Sequence, residues 1–167
     1  LFLVVVMLTT TMGSTVLAGT ENQGFSDQAE TTVDSRFLDG IDTAGYDYVI
    51  TSQEQADELR VSDDSKSILV ACGSVYLSGI TAGTITIRNT TKIQLSNVTA
   101  KALDISQGTA IRFTGVKADQ LLIAGEKTEE SSLQIDSETN ISKMELNGGQ
   151  AVTLEGSGTI GGVEVKE

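Results

Sequence analysis

The chain contains no histidine. The commonest general base and metal ligand is therefore missing, and Ser-His and Cys-His catalysis are excluded together. There is one cysteine, Cys72, so no internal disulfide can form. Placed between a strand-like run and a glycine, this thiol is expected to be buried and inert. Aromatic residues make up 4% of the chain, too few to line an extended sugar-stacking groove. Basic residues are also scarce: 11 Lys and Arg stand against 23 Asp and Glu, a net charge of −12. Such a surface repels nucleic acid and anionic membrane, and neither is an expected partner. Long apolar runs are absent too. The strongest, Leu1–Leu8, is too short to span a bilayer alone.

What is present begins with a leader. Residues 1–18, "LFLVVVMLTTTMGSTVLA", are apolar, then small and polar, and uncharged. Val16 and Ala18 stand at the −3 and −1 positions of a signal-peptidase site, so residues 1–18 are expected to be a signal peptide cleaved after Ala18. Secretion without disulfides fits a bacterial cell surface better than a eukaryotic secretory product. The sequons at Asn89, Asn97 and Asn140 are of a kind that arises by chance in a Thr-rich chain. Residues 19–45 read as a flexible acidic leader. "YDYVIT" (46–51) alternates as a strand does. "SQEQADELRV" (52–61) reads as a short helix capped by Ser52, with Gln55 as its capping-box partner and Ala56 and Leu59 on its buried side. "KSILVACG" (66–73) returns to strand. Residues 46–73 thus form an expected strand-helix-strand cap.

From residue 74 the chain repeats. Val75, Leu77, Ile80, Ala82, Ile85 and Ile87 recur eighteen residues on as Ile93, Leu95, Val98, Ala100, Leu103 and Ile105. They recur again as Ile111, Phe113, Val116, Ala118, Leu121 and Ile123. Within each period the apolar residues pair at i and i+2, the spacing of strands and not of helices. Three pairs per period predict a three-sided coil. Gly79, Asn97 and Gly115 share one register position, a corner where the left-handed backbone that Gly and Asn tolerate is expected. After an acidic insertion, "GEKTEESS" (125–132), the pattern Leu133, Ile135, Ile141, Met144, Leu146 recurs at period nineteen as Val152, Leu154, Ile160, Val163, Val165. Residues 74–167 therefore predict a solenoid of about five coils. The last coil ends in "VEVKE" without an evident cap, so either its charges blunt the edge or the chain continues past Glu167, and continuation is the expectation.

Two stretches carry a resemblance: "VITSQEQADELRVSDDSKSILVACGSVYLSG" and "NISKMELNGGQAVTLEGSGTIGGVEV". With them, residues 46–167 resemble the right-handed parallel β-helix modules, of pectin-lyase-like type, of bacterial cell-surface and S-layer-associated proteins. "VTAKALDISQGTAIRFTGVKADQLLI" also resembles the bactofilins, polymer-forming β-helices that work inside the cell, whereas the expected signal peptide points outside it. The fold these resemblances imply is all-β, a right-handed parallel β-helix with a short N-terminal cap helix. A left-handed hexapeptide helix would need a strict step of six, whereas the apolar pairs start at steps of five, five and eight.

For chemistry, the outward candidates are Tyr76, Asp104 and Asp119, as contacts for carbohydrate or a partner. Paired carboxylates hydrolyse glycosides when fixed a few ångströms apart, but Asp104 and Asp119 fall at different registers and Asp136 on another face. No catalytic residue is assigned. Calcium, the one cofactor entertained, needs several converging oxygens; "SDDS" (62–65) and "EKTEE" (126–130) are loose candidates. Two functions follow: a non-enzymatic surface module acting as spacer, stalk or assembly unit, and a carbohydrate-binding or carbohydrate-active β-helix. The corresponding partners are cell-wall or host glycans, or other copies of the chain.

Overall fold

The computed structural model describes residues 35–125 and 130–166. The expected signal peptide, most of the leader and residues 126–129 of the acidic insertion lie outside the described residues. Among the described residues no helix is long and apolar enough to cross a membrane.

The chain winds into an all-β parallel solenoid of about six turns. It opens with β1 (Tyr48–Ile50), α1 (Gln53–Glu58) and β2 (Ser62–Ala71). Four turns then each supply one short and one long strand: β3 (Ser74–Ser78) and β4 (Thr81–Arg88), β5 (Lys92–Ser96) and β6 (Thr99–Ser106), β7 (Ala110–Thr114) and β8 (Lys117–Ala124), β9 (Glu130–Ile135) and β10 (Asn140–Asn147). The last rung holds β11 (Ala151–Gly156), β12 (Thr159–Ile160) and β13 (Val163–Lys166). Long strands stack as β1-β2-β4-β6-β8-β10, with β12 and β13 both on β10; short strands stack as β3-β5-β7-β9-β11. All ladders are parallel. Backbone groups are satisfied between turns, so each turn depends on the next.

The eighteen-residue register is the register of the ladder. Val75 pairs with Ile93 and Ile93 with Ile111; Ala82 pairs with Ala100 and Ala100 with Ala118. All eighteen apolar positions of these three coils are buried, none more than 5% exposed. They form one continuous core with the inward residues of the flanking rungs. The corner prediction holds as well: Gly79, Asn97 and Gly115 all have positive φ, at 67°, 52° and 61°.

The structure departs from the sequence expectation in several places. The alanine of the second apolar pair and the whole third pair share one eight-residue strand, with Ile80, Val98 and Val116 one residue before it, instead of forming two short strands. Its ladder skips Gly83 and Lys101 as the strand bends, which explains the step of three between Ala82 and Ile85. The expected cap is itself part of the column, because β1 and β2 are rungs in register with β4. Strand β2 starts at Ser62, so "SDDS" is bulged strand and not loop. Gly83 makes room for that bulge: a Cβ there would lie 2.6 Å from the Asp64 carbonyl. Finally, a second left-handed corner exists, at Asn89 (φ 52°), Gln107 (φ 67°) and Gly148 (φ 91°). Gln has no preference for this backbone, so its sequence carries no mark of the corner.

Residues 35–45, expected as leader, and Tyr46 and Asp47 after them pack on the column. Leu69 and Ala71 point outward from β2, between Ile68, Val70 and Cys72, yet are fully buried. A Cβ on Gly73 would meet the Phe37 ring at 3.9 Å, and the Phe37 carbonyl accepts a hydrogen bond from Asn89 Nδ2 at 2.9 Å. Asp47 closes the segment. It accepts from the Ser67 N–H at 2.8 Å, from Lys66 Nζ at 3.0 Å and from the Ser67 hydroxyl at 3.0 Å. These donors, the backbone N–H foremost, pull the Asp47 carboxyl down to about 2.

Three outcomes are expected. Ile105→Asp buries an unpaired charge and costs about 3–5 kcal/mol in chemical denaturation, whereas Ser106→Asp, one residue on and outward, is near neutral. Gln107→Gly relieves a left-handed side-chain residue and leaves the melting temperature equal or higher, whereas Gln107→Val lowers stability by about 1–2 kcal/mol. Because the folded Asp47 carboxyl sits below its ordinary 3.8, its contribution is complete above that pH and is lost as pH falls through about 2. Asp47→Asn should therefore flatten the acid limb of the stability profile in that window, read by thermal melts across pH.

Candidate functional site

The three contact candidates lie on three different parts of the column. Tyr76 is central in β3 and outward, with 45% of its surface exposed. Its backbone is more informative than its ring. The Tyr76 N–H donates to Gln53 Oε1 at 2.8 Å, and the Tyr76 carbonyl accepts from Gln53 Nε2 at 3.0 Å. The side-chain amide of α1 thus replaces the neighbouring strand that β3 lacks. Ser52 caps this helix as expected, accepting from the Gln55 N–H. The Gln55 side chain, however, closes on Thr51 and not on Ser52: its Oε1 accepts from the Thr51 N–H at 2.6 Å. Ala56 and Leu59 are buried as predicted.

Asp104 lies on the outer face of β6 and is engaged. Its two oxygens accept from Arg88 Nη1 and Nη2 at 3.0 and 2.6 Å, a forked pair across adjacent rungs. Half-exposed, this pair contributes about 1 kcal/mol or less. Asp119 lies elsewhere, on the bend of β8. It borders a groove of about 390 Å³ that runs over the Ala82, Ala100 and Ala118 column, walled by Asp64, Lys101, Lys117, Asn140 and Ser142. Lys101 Nζ reaches Asp64 Oδ2 at 3.1 Å across it. Asp104 and Asp119 therefore share neither a column nor a face and do not form an acid–base pair.

The remaining acidic candidates serve the fold. Asp63 Oδ1 accepts from the Ser65 N–H at 2.9 Å and hydroxyl at 2.7 Å, bracing the β2 bulge. Asp136 Oδ1 accepts from the Gly115 N–H at 3.0 Å and from Thr139 Oγ1 at 2.7 Å, and the Gly115 N–H foremost holds its carboxyl below the usual range. That bond ties the corner after β9 to the corner of the preceding turn. Of "EKTEE", only Glu130 is a described residue, at the start of β9. Among the described residues, no group of three acidic or cysteine side chains converges as a metal site would require. Cys72 is buried, and that burial pushes its thiol pKa up, the state of an unreactive thiol.

Sequence reasoning missed two features of this surface. One is the groove, whose only signal was the alanine ladder itself. The other is the pairing of Gln53 with an edge strand. Comparisons with protein-family models, with curated proteins and with solved structures find no match to this chain.

Proposed function

We propose that the chain is a non-catalytic module of a secreted or cell-surface protein, a right-handed β-helix of the pectin-lyase-like kind that acts as a rigid spacer, stalk or assembly unit. One observation carries the reading: what recurs from rung to rung is the core, while the outward column of the long strands changes chemistry at each step. The column through β2, β4, β6, β8 and β10 reads Leu69, Thr86, Asp104, Leu122, Glu145. A repeating ligand surface would repeat its side chains. This column instead spends its charges on pairs along the axis, Arg88–Asp104 and Lys166–Glu145, which brace the stack. The apolar leader and the acidic charge support an extracellular setting.

The groove beside Asp119 favours the second reading, a carbohydrate-contacting β-helix, since it offers ammonium, carboxylate, amide and hydroxyl groups over an apolar floor. The two readings separate experimentally. On the module reading, wall fractionation of the native source finds the protein with the envelope, and a glycan array gives no signal. Protein confined to the culture supernatant counts against the surface role. Saturable glycan binding lost in Asp119→Asn but retained in Asp104→Asn would establish the second reading in its place.

A further inference from the structure

The bends of the long strands align along the axis. Ala100 and Ala118 point into the core, so the residues on either side of each point outward. On one side the ladder runs Thr99, Lys117, Asn140. On the other stand the residues that the ladder skips, Lys101, Asp119 and Ser142. The groove described above follows these two columns from Asp64 on β2 to Ser142 on β10. Successive rungs advance it by about 4.8 Å, and its volume of about 390 Å³ lies within the range of small-molecule sites.

Two properties set the groove apart from the rest of the surface. The first is charge. The chain carries −12 overall, whereas the groove sets two ammonium groups, Lys101 and Lys117, against two carboxylates, Asp64 and Asp119. The second is that its polar groups are unspent. Elsewhere the outward side chains bond to one another along the axis: Arg88 to Asp104, Arg112 to Gln134 and on to Glu155, Lys143 to Glu164. In the groove only Lys101 and Asp64 do so, at 3.1 Å. Lys66, Lys143 and Lys166 each close on a carboxylate, but Lys117 does not. Among the described residues the side chains of Thr99, Lys117, Asp119, Asn140 and Ser142 make neither an ion pair nor a hydrogen bond. Lys117 and Asp119 therefore leave a charged donor and a charged acceptor free on one rung, and Asn140 and Ser142 an amide and a hydroxyl on the next.

We propose that this groove binds a neutral polysaccharide laid along the column axis, with Lys117, Asp119, Asn140 and Ser142 as its principal contacts. The inference rests on the carbohydrate-contacting reading above and narrows it to chains without carboxylate, sulfate or phosphate groups. The charge pattern makes the choice. A polyanion approaches against the net charge of the protein and meets Asp119 on arrival. A polycation is drawn by that net charge but meets Lys101 and Lys117 in the groove. A hydroxyl both donates and accepts, so it serves an ammonium, a carboxylate and an amide alike. A chain of hydroxylated rings thus finds a partner on each rung although the side chains differ. Its hydroxyls accept from Lys117 and donate to Asp119, the charge-assisted kind of hydrogen bond. The Lys101–Asp64 pair reaches from β6 to β2 across Gly83 and occupies that end of the groove, which leaves the stretch from β6 to β10 to the ligand.

Isothermal titration calorimetry of the 167-residue chain tests this, with neutral hexasaccharides of β-1,4-linked glucose, mannose and xylose beside a galacturonate hexamer. Saturable binding of a neutral hexamer is expected, with the galacturonate hexamer silent. Added salt leaves the affinity unchanged, because the ligand has no charge to screen. Lys117→Met and Asp119→Asn each weaken binding by about tenfold or more. Neither lowers the melting temperature, since neither side chain has a partner to lose. Lys92→Met and Asp104→Asn, outside the groove, leave binding intact. Preference for the galacturonate hexamer overturns the inference and leaves the carbohydrate reading standing, as does neutral binding indifferent to both groove variants. Silence from every hexamer overturns it too, and a blank glycan array then removes the carbohydrate reading with it.

Discussion

The backbone ladder between successive turns is the constraint on which the rest depends. A turn of this solenoid has no interior of its own. Its strands hydrogen-bond only to the turns before and after, and its inward side chains are covered only when those turns are present. The eighteen-residue period is the length of backbone that returns the chain to the same place one strand spacing, about 4.8 Å, further along the axis. A change in turn length must be absorbed away from the ladder. The longer turn that carries the acidic insertion shows how: β9 still pairs with β7, Leu133 on Ile111, and β10 with β8, Met144 on Leu121.

The same constraint separates what the sequence reveals from what it hides. Inward positions are repeated because each rung must present the same shape to the next, so Ile93, Leu103 and Ile111 are legible without coordinates. Corners are legible only where the residue type shows the strain. Gly79 and Asn97 mark one; Gln107 and Asn89 form another, held by bonds such as Gln107 N–H to the Ala124 carbonyl, and Gln107 carries no sign of it. The bend within the long strand looks like a break in the sequence because side-chain spacing changes there while the strand continues. The packing of residues 35–47 was invisible for a different reason. It uses one ring, one asparagine amide and one carboxylate, with no period to detect.

The candidate site follows the same logic. Outward side chains owe nothing to the register, so sequence could nominate Asp104 and Asp119 as exposed but could not say what they face. In the fold, one is engaged by Arg88 and the other borders a groove over the bend of the long strands. A polymer lying there would run along the axis and meet a different side chain at each rung, which suits a mixed contact better than a repeated one.

Stacked architectures also make their ends the decisive places. Interior rungs are paired on both sides, so strand addition is a matter for the first and the last. Gln53 answers the free edge of β3 economically, because a primary amide carries one donor and one acceptor at the spacing a neighbouring peptide group would offer.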